Sequence, residues 1–229
     1  MDLDCKKKLE SIFNAEILDE SLFEMALTHT SYSRENNNDI NYERLEFLGD
    51  AVLKLCVSEI LYKRYPTYSE GQMSKIRSIV VSDNTLSKVV DSLELQKYLI
   101  LGKQEEKMGG RNKQSIKACA LEALLGAFYL NGYFSNVETF LKENLKTFIE
   151  EVDNDFAKYN SKEVLQEYTQ GMTKTVPEYR VIKEEGPAHD KTFTVEVLYE
   201  GKVLSYGTGK TKRDAEKAAA YEAYMLLTR

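Results

Sequence analysis

Glu43-Arg44-Leu45-Glu46-Phe47-Leu48-Gly49-Asp50-Ala51-Val52-Leu53 decides how the first 150 residues of this chain are read. On a helix, Glu43, Glu46 and Asp50 fall within about 60° of one another at about 100° per residue. Leu45, Leu48, Val52 and Leu55 fall on roughly the opposite side. One side is a packing stripe and the other gathers three acids. Like charges on one helix face repel, and a helix built only for stability would mix in Lys or Arg. A solvated acidic face is one reading. A site for a hard divalent cation with oxygen ligands is the other. Leu45, Phe47 and Leu48 are interleaved with the acids, so this face borders a core, which favours the cation.

Working outward, the flanking segments also read as helices. Asp19 to Ala26 opens one, and Ala26 to Tyr32 ends it near a polar loop, Ser33 to Asp39. The acidic helix runs from about Tyr42 to about Arg64, where Pro66 breaks it. Ser69 is a plausible N-cap for the next, whose apolar stripe is Met73, Ile76, Val80 and Val81. A further helix starts at Asp83. Gly102 to Lys113 is polar, contains Gly109-Gly110 and reads as a loop. Ser115 to Leu130 and Val137 to Val152 are helices. No β-alternation appears in this part.

After Val152 the pattern changes. Asp153 to Asn160 reads as a polar connector, and Ser161 to Gln170 as a helix capped by Ser161. Tyr179–Glu185, Phe193–Tyr199 and Val203–Thr208 read as strands, the last two joined by a turn at Glu200-Gly201-Lys202. Lys212 to Leu227 is an Ala-rich helix, giving the order α-β-β-β-α. The expected fold is therefore mainly α: an all-helical domain over 1–152, a linker over 153–160, and a small α+β domain over 161–229.

The chain has 229 residues, long enough for two small domains. Its start lacks the apolar run of a signal peptide, and no stretch approaches the ~18 apolar residues of a membrane span. Three widely spaced cysteines, Cys5, Cys56 and Cys119, fit neither a disulfide framework nor a zinc pattern and point to a reducing compartment. A cytoplasmic protein without a membrane partner is expected. The net charge is −6 and uneven: residues 1–156 carry 19 Lys and Arg against 26 Asp and Glu, residues 157–229 carry 12 against 11. The first part is acidic enough to hold cations. Any nucleic-acid affinity in the second must come from the placement of charge.

The Glu43–Leu53 stretch resembles the signature of the ribonuclease III family, endonucleases that cut double-stranded RNA. The second motif of that family is matched at Ser115-Ile116-Lys117-Ala118-Cys119-Ala120-Leu121-Glu122-Ala123-Leu124. The second part resembles the double-stranded-RNA-binding domain. That match rests on Leu165-Gln166-Glu167-Tyr168, on Gly186-Pro187-Ala188-His189, and on Gly207 to Ala220 with its basic cluster at the start of the last helix.

The resemblance implies a Mg²⁺-dependent endoribonuclease, with Mn²⁺ able to substitute, acting as a homodimer and needing no small-molecule cofactor. It implies cleavage of both strands, leaving 5′-phosphate and 3′-hydroxyl ends with short 3′ overhangs, and a task in ribosomal-RNA precursor processing. Glu46, Asp50 and Glu122 are its metal ligands, with Asp50 and Glu122 central to catalysis. Glu43 and Glu70 match further acids at the margin of the cleft. Glu122 also has a reason of its own: it is the only acid in an apolar helix, where a carboxylate is costly to bury without a cation. The family usually has Asp where this chain has Cys119; a thiol suits Mg²⁺ poorly, and Cys119 is expected to be a small buried hydrophobe. That departure leaves an alternative, a double-stranded-RNA-binding regulator that cuts weakly or not at all. His29, among Thr28, Thr30 and Ser31, reads as a hydrogen-bonded structural histidine. Gln166 and Glu167 are expected to reach 2′-hydroxyls in one minor groove and His189, in the Gly186–His189 loop, the next. Lys210, Lys212, Arg213 and Lys217 are expected to clamp the phosphates between.

Overall fold

Apolar residues recurring at three- and four-residue spacing make the first part of the chain a set of helices. The computed structural model describes residues 1–154, 156–187 and 190–228, which divide into two units, Met1–Glu150 and Glu151–Arg229. The first opens with α1 (Leu3–Phe13), α2 (Glu20–Leu27) and α3 (Thr30–Glu35). The acidic helix is α4 (Glu43–Arg64), followed by α5 (Glu70–Val80), α6 (Asp83–Ser92) and the short α7 (Lys103–Lys107). Helices α8 (Gln114–Leu130) and α9 (Phe134–Asn154) complete the series.

Helix α8 is the axis of this unit. Eleven of its residues are buried, from Ile116 to Phe128, and α4, α6 and α2 pack around it. Stacked and edge-on rings of Phe13, Phe23, Phe128 and Phe140 close the core beside it. The crossing of α4 and α8 is set by two glycines. A Cβ on Gly49 would lie 1.7 Å from the Glu122 carbonyl oxygen, and one on Gly126 would lie 2.5 Å from that of Leu45. The two backbones therefore touch, a separation that no side chain permits. Lys117, 6% exposed, is neutralised where α8 meets α6: its Nζ donates to both Asp91 carboxylate oxygens at 2.7 and 2.8 Å.

Several expectations change here. Helix α1 was not expected; it is capped by Asp2 and buries Cys5, Leu9 and Phe13. The stretch expected to lead into a polar loop forms α3, and His29 is its cap: its Nδ1 accepts from the Ser31 backbone N–H at 3.1 Å. The segment 102–113 is not simply a loop, because α7 and a 3₁₀ turn, Gly110–Asn112, lie within it. Leu55 is not part of the buried stripe of α4, being 58% exposed, and Phe47 is 81% exposed. The buried stripe instead runs Leu45, Gly49, Val52, Leu53, Cys56, Val57, Leu61. Ser69 does cap α5, in a reciprocal box with Gln72.

In the second unit α10 (Phe156–Tyr159) packs against the last helix, so the segment expected to be a linker is largely helical. The rest is α11 (Ser161–Thr173), β1 (Glu178–Glu185), β2 (Thr192–Tyr199), β3 (Lys202–Gly209) and α12 (Lys212–Leu227). The strands form one antiparallel sheet in the order β1-β2-β3. Ser161 does not cap α11; its hydroxyl is buried and donates to the Lys217 carbonyl at 2.7 Å, tying α11 to α12. Leu165, Val195, Val197, Ala215, Ala219, Ala220 and Ala223 form the core. The alanines of α12 lie close on β3 because Gly207 faces them: a Cβ there would be 2.1 Å from the Ala219 nitrogen.

Candidate active site

The contact of α4 with α8 brings the acids together. One carboxylate oxygen each from Glu46 and Glu122 and the Cys119 sulfur lie within 4.8 Å of one another, and all three residues are partly buried. Asp50, one turn along α4 from Glu46, is not in that group; its carboxylate accepts from Lys54 at 2.7 Å. Lys54 is thus a basic residue that α4 sets beside the acids of the site, and it was not expected from the sequence. Glu43 is exposed at the start of α4. Glu70 is exposed in the first turn of α5, where it accepts from the Ser74 hydroxyl at 2.6 Å. The structure does not bring either of them into the group.

Negative charge gathers around Glu122. Burial, then the charges of Asp50, Glu46 and Asp83, push its carboxyl up to about 8; Lys54 offsets this only in part. Asp83, in the first turn of α6, belongs to this electrostatic cluster and was not expected there. From sequence it reads as an ordinary acid at a helix N-terminus; only the packing of α6 on α8 discloses it. Burial pushes the Cys119 thiol up to about 12, helped by Glu46, Glu122 and Asp83. Burial, and then the neighbouring Cys119 and Glu46, push the phenol of Tyr42 well above its ordinary value.

On the second unit, Gln166 and Glu167 are exposed on α11, and Lys210, Lys212 and Arg213 are exposed where β3 gives way to α12. Lys217 is half-buried one turn further on. Two of these cations already have partners: Lys210 pairs with Asp190 at 2.7 Å and Lys212 with Glu184 at 3.0 Å. Gly186 opens the β1–β2 loop with φ +94°, and a Cβ there would be 2.5 Å from the Asp190 carbonyl. His189 lies outside the described residues.

The family model Ribonuclease-III-like matches residues 19–148, and the double-stranded RNA binding motif matches residues 161–227. Ribonuclease 3 of Borreliella burgdorferi is 45% identical over 202 residues, covering 87% of this chain and 82% of that protein. Ribonuclease 3 of Streptococcus pneumoniae is 42% identical over 221 residues, covering 94% and 93%. This chain belongs to the ribonuclease III family. A solved nuclease domain of ribonuclease III from Campylobacter jejuni, described for flexibility in its region involved in dimer formation, superposes with a TM-score of 0.57. It is 38% identical, covering 62% of this chain and 96% of that one.

Ribonuclease III membership makes the chain a hydrolase, an endoribonuclease of double-stranded RNA with a nuclease domain and an RNA-binding domain. Nucleases of this family generally depend on a divalent metal ion. The carboxylates of this site fit one: Glu46 and Glu122 offer hard oxygen donors, Asp50 stands beside them, and the negative charge around Glu122 is in excess of what Lys54 offsets. Cys119 does not fit a hard ion.

The excess charge has a measurable consequence. Glu122 titrates near 8 when folded and near the ordinary 4.5 when unfolded. Between those values the folded protein holds the extra proton, so metal-free stability is greatest below about pH 4.5 in this respect and falls as pH rises through 8. A shift costs about 1.4 kcal/mol per unit at full burial; discounted for partial exposure, roughly 2–3 kcal/mol is expected. Metal-free Glu122→Gln should therefore melt higher than wild type at pH 8.5, and the gap should close at pH 5. Thermal melts in chelator at the two pH values check this; equal melting points at both would remove the charge excess from the account.

Proposed function

We propose that this chain is a Mg²⁺-dependent endoribonuclease that hydrolyses both strands of duplex RNA, using Glu46, Asp50 and Glu122 as its metal-binding carboxylates. Mn²⁺ is the expected substitute. The observation that carries this reading is the partly buried Glu122 carboxyl, surrounded by the charges of Asp50, Glu46 and Asp83. A bound divalent ion would supply charge neutralisation, a nucleophilic water and stabilisation of the leaving oxygen. Glu46 and Glu122 would hold it from opposite helices. Asp50 would exchange Lys54 for the ion, leaving Lys54 at the mouth of the site as a partner for RNA phosphate. The Gly49–Gly126 contact fixes the distance between the two donor helices, and the rigidity of that crossing orients the carboxylates.

The products are expected to carry 5′-phosphate and 3′-hydroxyl ends with short 3′ overhangs, a geometry that needs two sites. A homodimer supplies them. Exposed Leu55 on α4, which lines a groove with Tyr62, Met73 and Phe134, and exposed Phe47 on the same helix give a second copy apolar surface to cover. Ribosomal-RNA precursor processing in the cytoplasm is the cellular task we assign. We divide the chain functionally at 152 and 161, with the RNA grip in 161–229: Gln166, Glu167 and His189 toward 2′-hydroxyls and Lys210, Lys212, Arg213 and Lys217 toward phosphates. End-labelled duplex and single-stranded RNA of the same sequence test this directly. Cleavage of the duplex alone, with ends that a ligase joins without prior phosphorylation, supports the reading; equal cleavage of both overturns it. Duplex binding without cleavage would favour a regulator, the reading that Cys119 in the donor group lends weight to.

Lys212→Ala combined with Arg213→Ala is expected to weaken binding to all duplex sequences alike. Each lost phosphate contact should lower the log–log salt slope by about one unit. Because Lys212 is held by Glu184 in the free protein, part of its phosphate attraction is offset by that exchange, and Arg213 should account for more of the loss. Single-variant gel shifts across a salt series measure both; a sequence-selective loss or an unchanged slope refutes the clamp.

A further inference from the structure

Cys119 is the residue of the site that the proposed reaction does not use. Its sulfur faces the same space as the Glu46 and Glu122 carboxylate oxygens, within 4.8 Å of both. A hard ion gains little from it. A borderline-soft ion gains a great deal: zinc takes thiolate at about 2.3 Å and carboxylate oxygen at about 2.0–2.2 Å, commonly four-coordinate with water in the open position. Such bond lengths bring donor atoms to roughly 3.5 Å from one another, so the three atoms need only close slightly. Cys5 and Cys56 are buried and stand in no such donor group among the described residues.

We propose that Glu46, Cys119 and Glu122 form a site for a thiophilic divalent ion, zinc above all, which competes with the hard ion for the two carboxylates and so holds the nuclease inactive. The proposal rests on the reading of Glu46 and Glu122 as metal ligands. On binding, the Cys119 S–H bond breaks, a sulfur–zinc bond forms, and the proton leaves to the buffer, with no change of oxidation state. Zinc held by the sulfur and two oxygens lacks the oxygen-rich environment that the hard ion needs, and Asp50 remains with Lys54.

The test titrates Co²⁺, a spectroscopic substitute for zinc, into the metal-free full chain without RNA. Wild type should show a sulfur-to-cobalt charge-transfer absorption saturating at one ion per chain, and Zn²⁺ should abolish it. Cys119→Ser and Cys119→Ala, each checked by thermal melting, should both lose the band and bind Zn²⁺ at least about tenfold more weakly by calorimetry. Cys119→Asp should shift preference the other way, lowering the Mg²⁺ concentration for half-maximal cleavage and raising the Zn²⁺ concentration that inhibits it. Co²⁺ binding without the band, or a band that persists in both Cys119 variants, overturns the thiol's role and leaves the carboxylate site standing. Absence of any Co²⁺, Zn²⁺ or Mg²⁺ binding overturns the carboxylate reading as well.

Discussion

Glu122→Gln and Asp50→Asn are each expected to lower the rate of duplex-RNA cleavage by about a thousandfold or more, with duplex affinity almost unchanged. The magnitude follows from the role: loss of a ligand to the ion that stabilises the reacting oxygens removes several kcal/mol, and about 4 kcal/mol is a factor of a thousand. The separation from binding follows from the two units, since every residue we place on RNA phosphates and 2′-hydroxyls, Lys54 apart, lies in 161–229. The two variants differ in what they disturb. Asn at position 50 can still accept from Lys54, so α4 keeps that contact. Gln at position 122 relieves the crowding of charge, so this variant should be both more stable without metal and less active. A gain of stability with a loss of activity is hard to attribute to damaged folding. Single-turnover cleavage and gel-shift affinity, measured side by side, check both; activity within tenfold of wild type in either variant would remove that residue from the catalytic group.

Gly49→Ala is expected to be among the most damaging substitutions in the chain. Its new methyl group would lie 1.7 Å from the Glu122 carbonyl oxygen, which is backbone and cannot rotate away. Overpacking commonly costs about 1–3 kcal/mol; with helix backbone on both sides we expect at least about 3 kcal/mol. The helices must part, which moves Glu46 and Asp50 away from Glu122. A misplacement of about 1 Å can cost roughly a hundredfold in rate, so the molecules that still fold should also cut slowly. Gly71→Ala is the control. It lies in the first turn of α5, with nothing nearer to its added Cβ than the Ser69 hydroxyl at 3.9 Å, and a helix favours Ala over Gly by about 0.5–1 kcal/mol. Thermal melts should therefore show opposite signs for the two glycines. A Gly49→Ala protein as stable as wild type would mean that the α4–α8 crossing does not set the site.

The sequence carries the helical period of α4, α8 and α9 and the alternation of β2 and β3 because each of those segments buries a whole face of its own. It carries the carboxylates because acids in an apolar context are unusual enough to need a reason. It does not carry what depends on two elements meeting. Gly49 and Gly126 are ordinary letters until their helices cross, and Asp83 is a helix-start acid until α6 packs on α8. Cys119 shows the same limit from the other side. Its chemistry argues for a buried hydrophobe, and only the position of its sulfur beside two carboxylates leads to the donor role we propose. The exposure of Leu55 goes against the helical-wheel reading of α4, and that of Phe47 against the inference that its interleaved apolar residues border a core, because a helix 22 residues long presents more apolar surface than one neighbour covers. Helix α1 had a legible signal in Cys5, Leu9 and Phe13 at four-residue spacing; α3 is shorter, and its cap is a histidine, a residue seldom read as one.

If carboxylates from α4 and α8 hold the metal ion on which cleavage depends, the wild-type protein given a long uniformly labelled RNA duplex, first in excess EDTA and then with Mg²⁺ restored, will show it. Intact duplex is expected in EDTA and short duplex fragments once Mg²⁺ is present, with RNA bound in both cases. Cleavage that proceeds undiminished in EDTA, or bound duplex left uncut at every Mg²⁺ concentration, would contradict it.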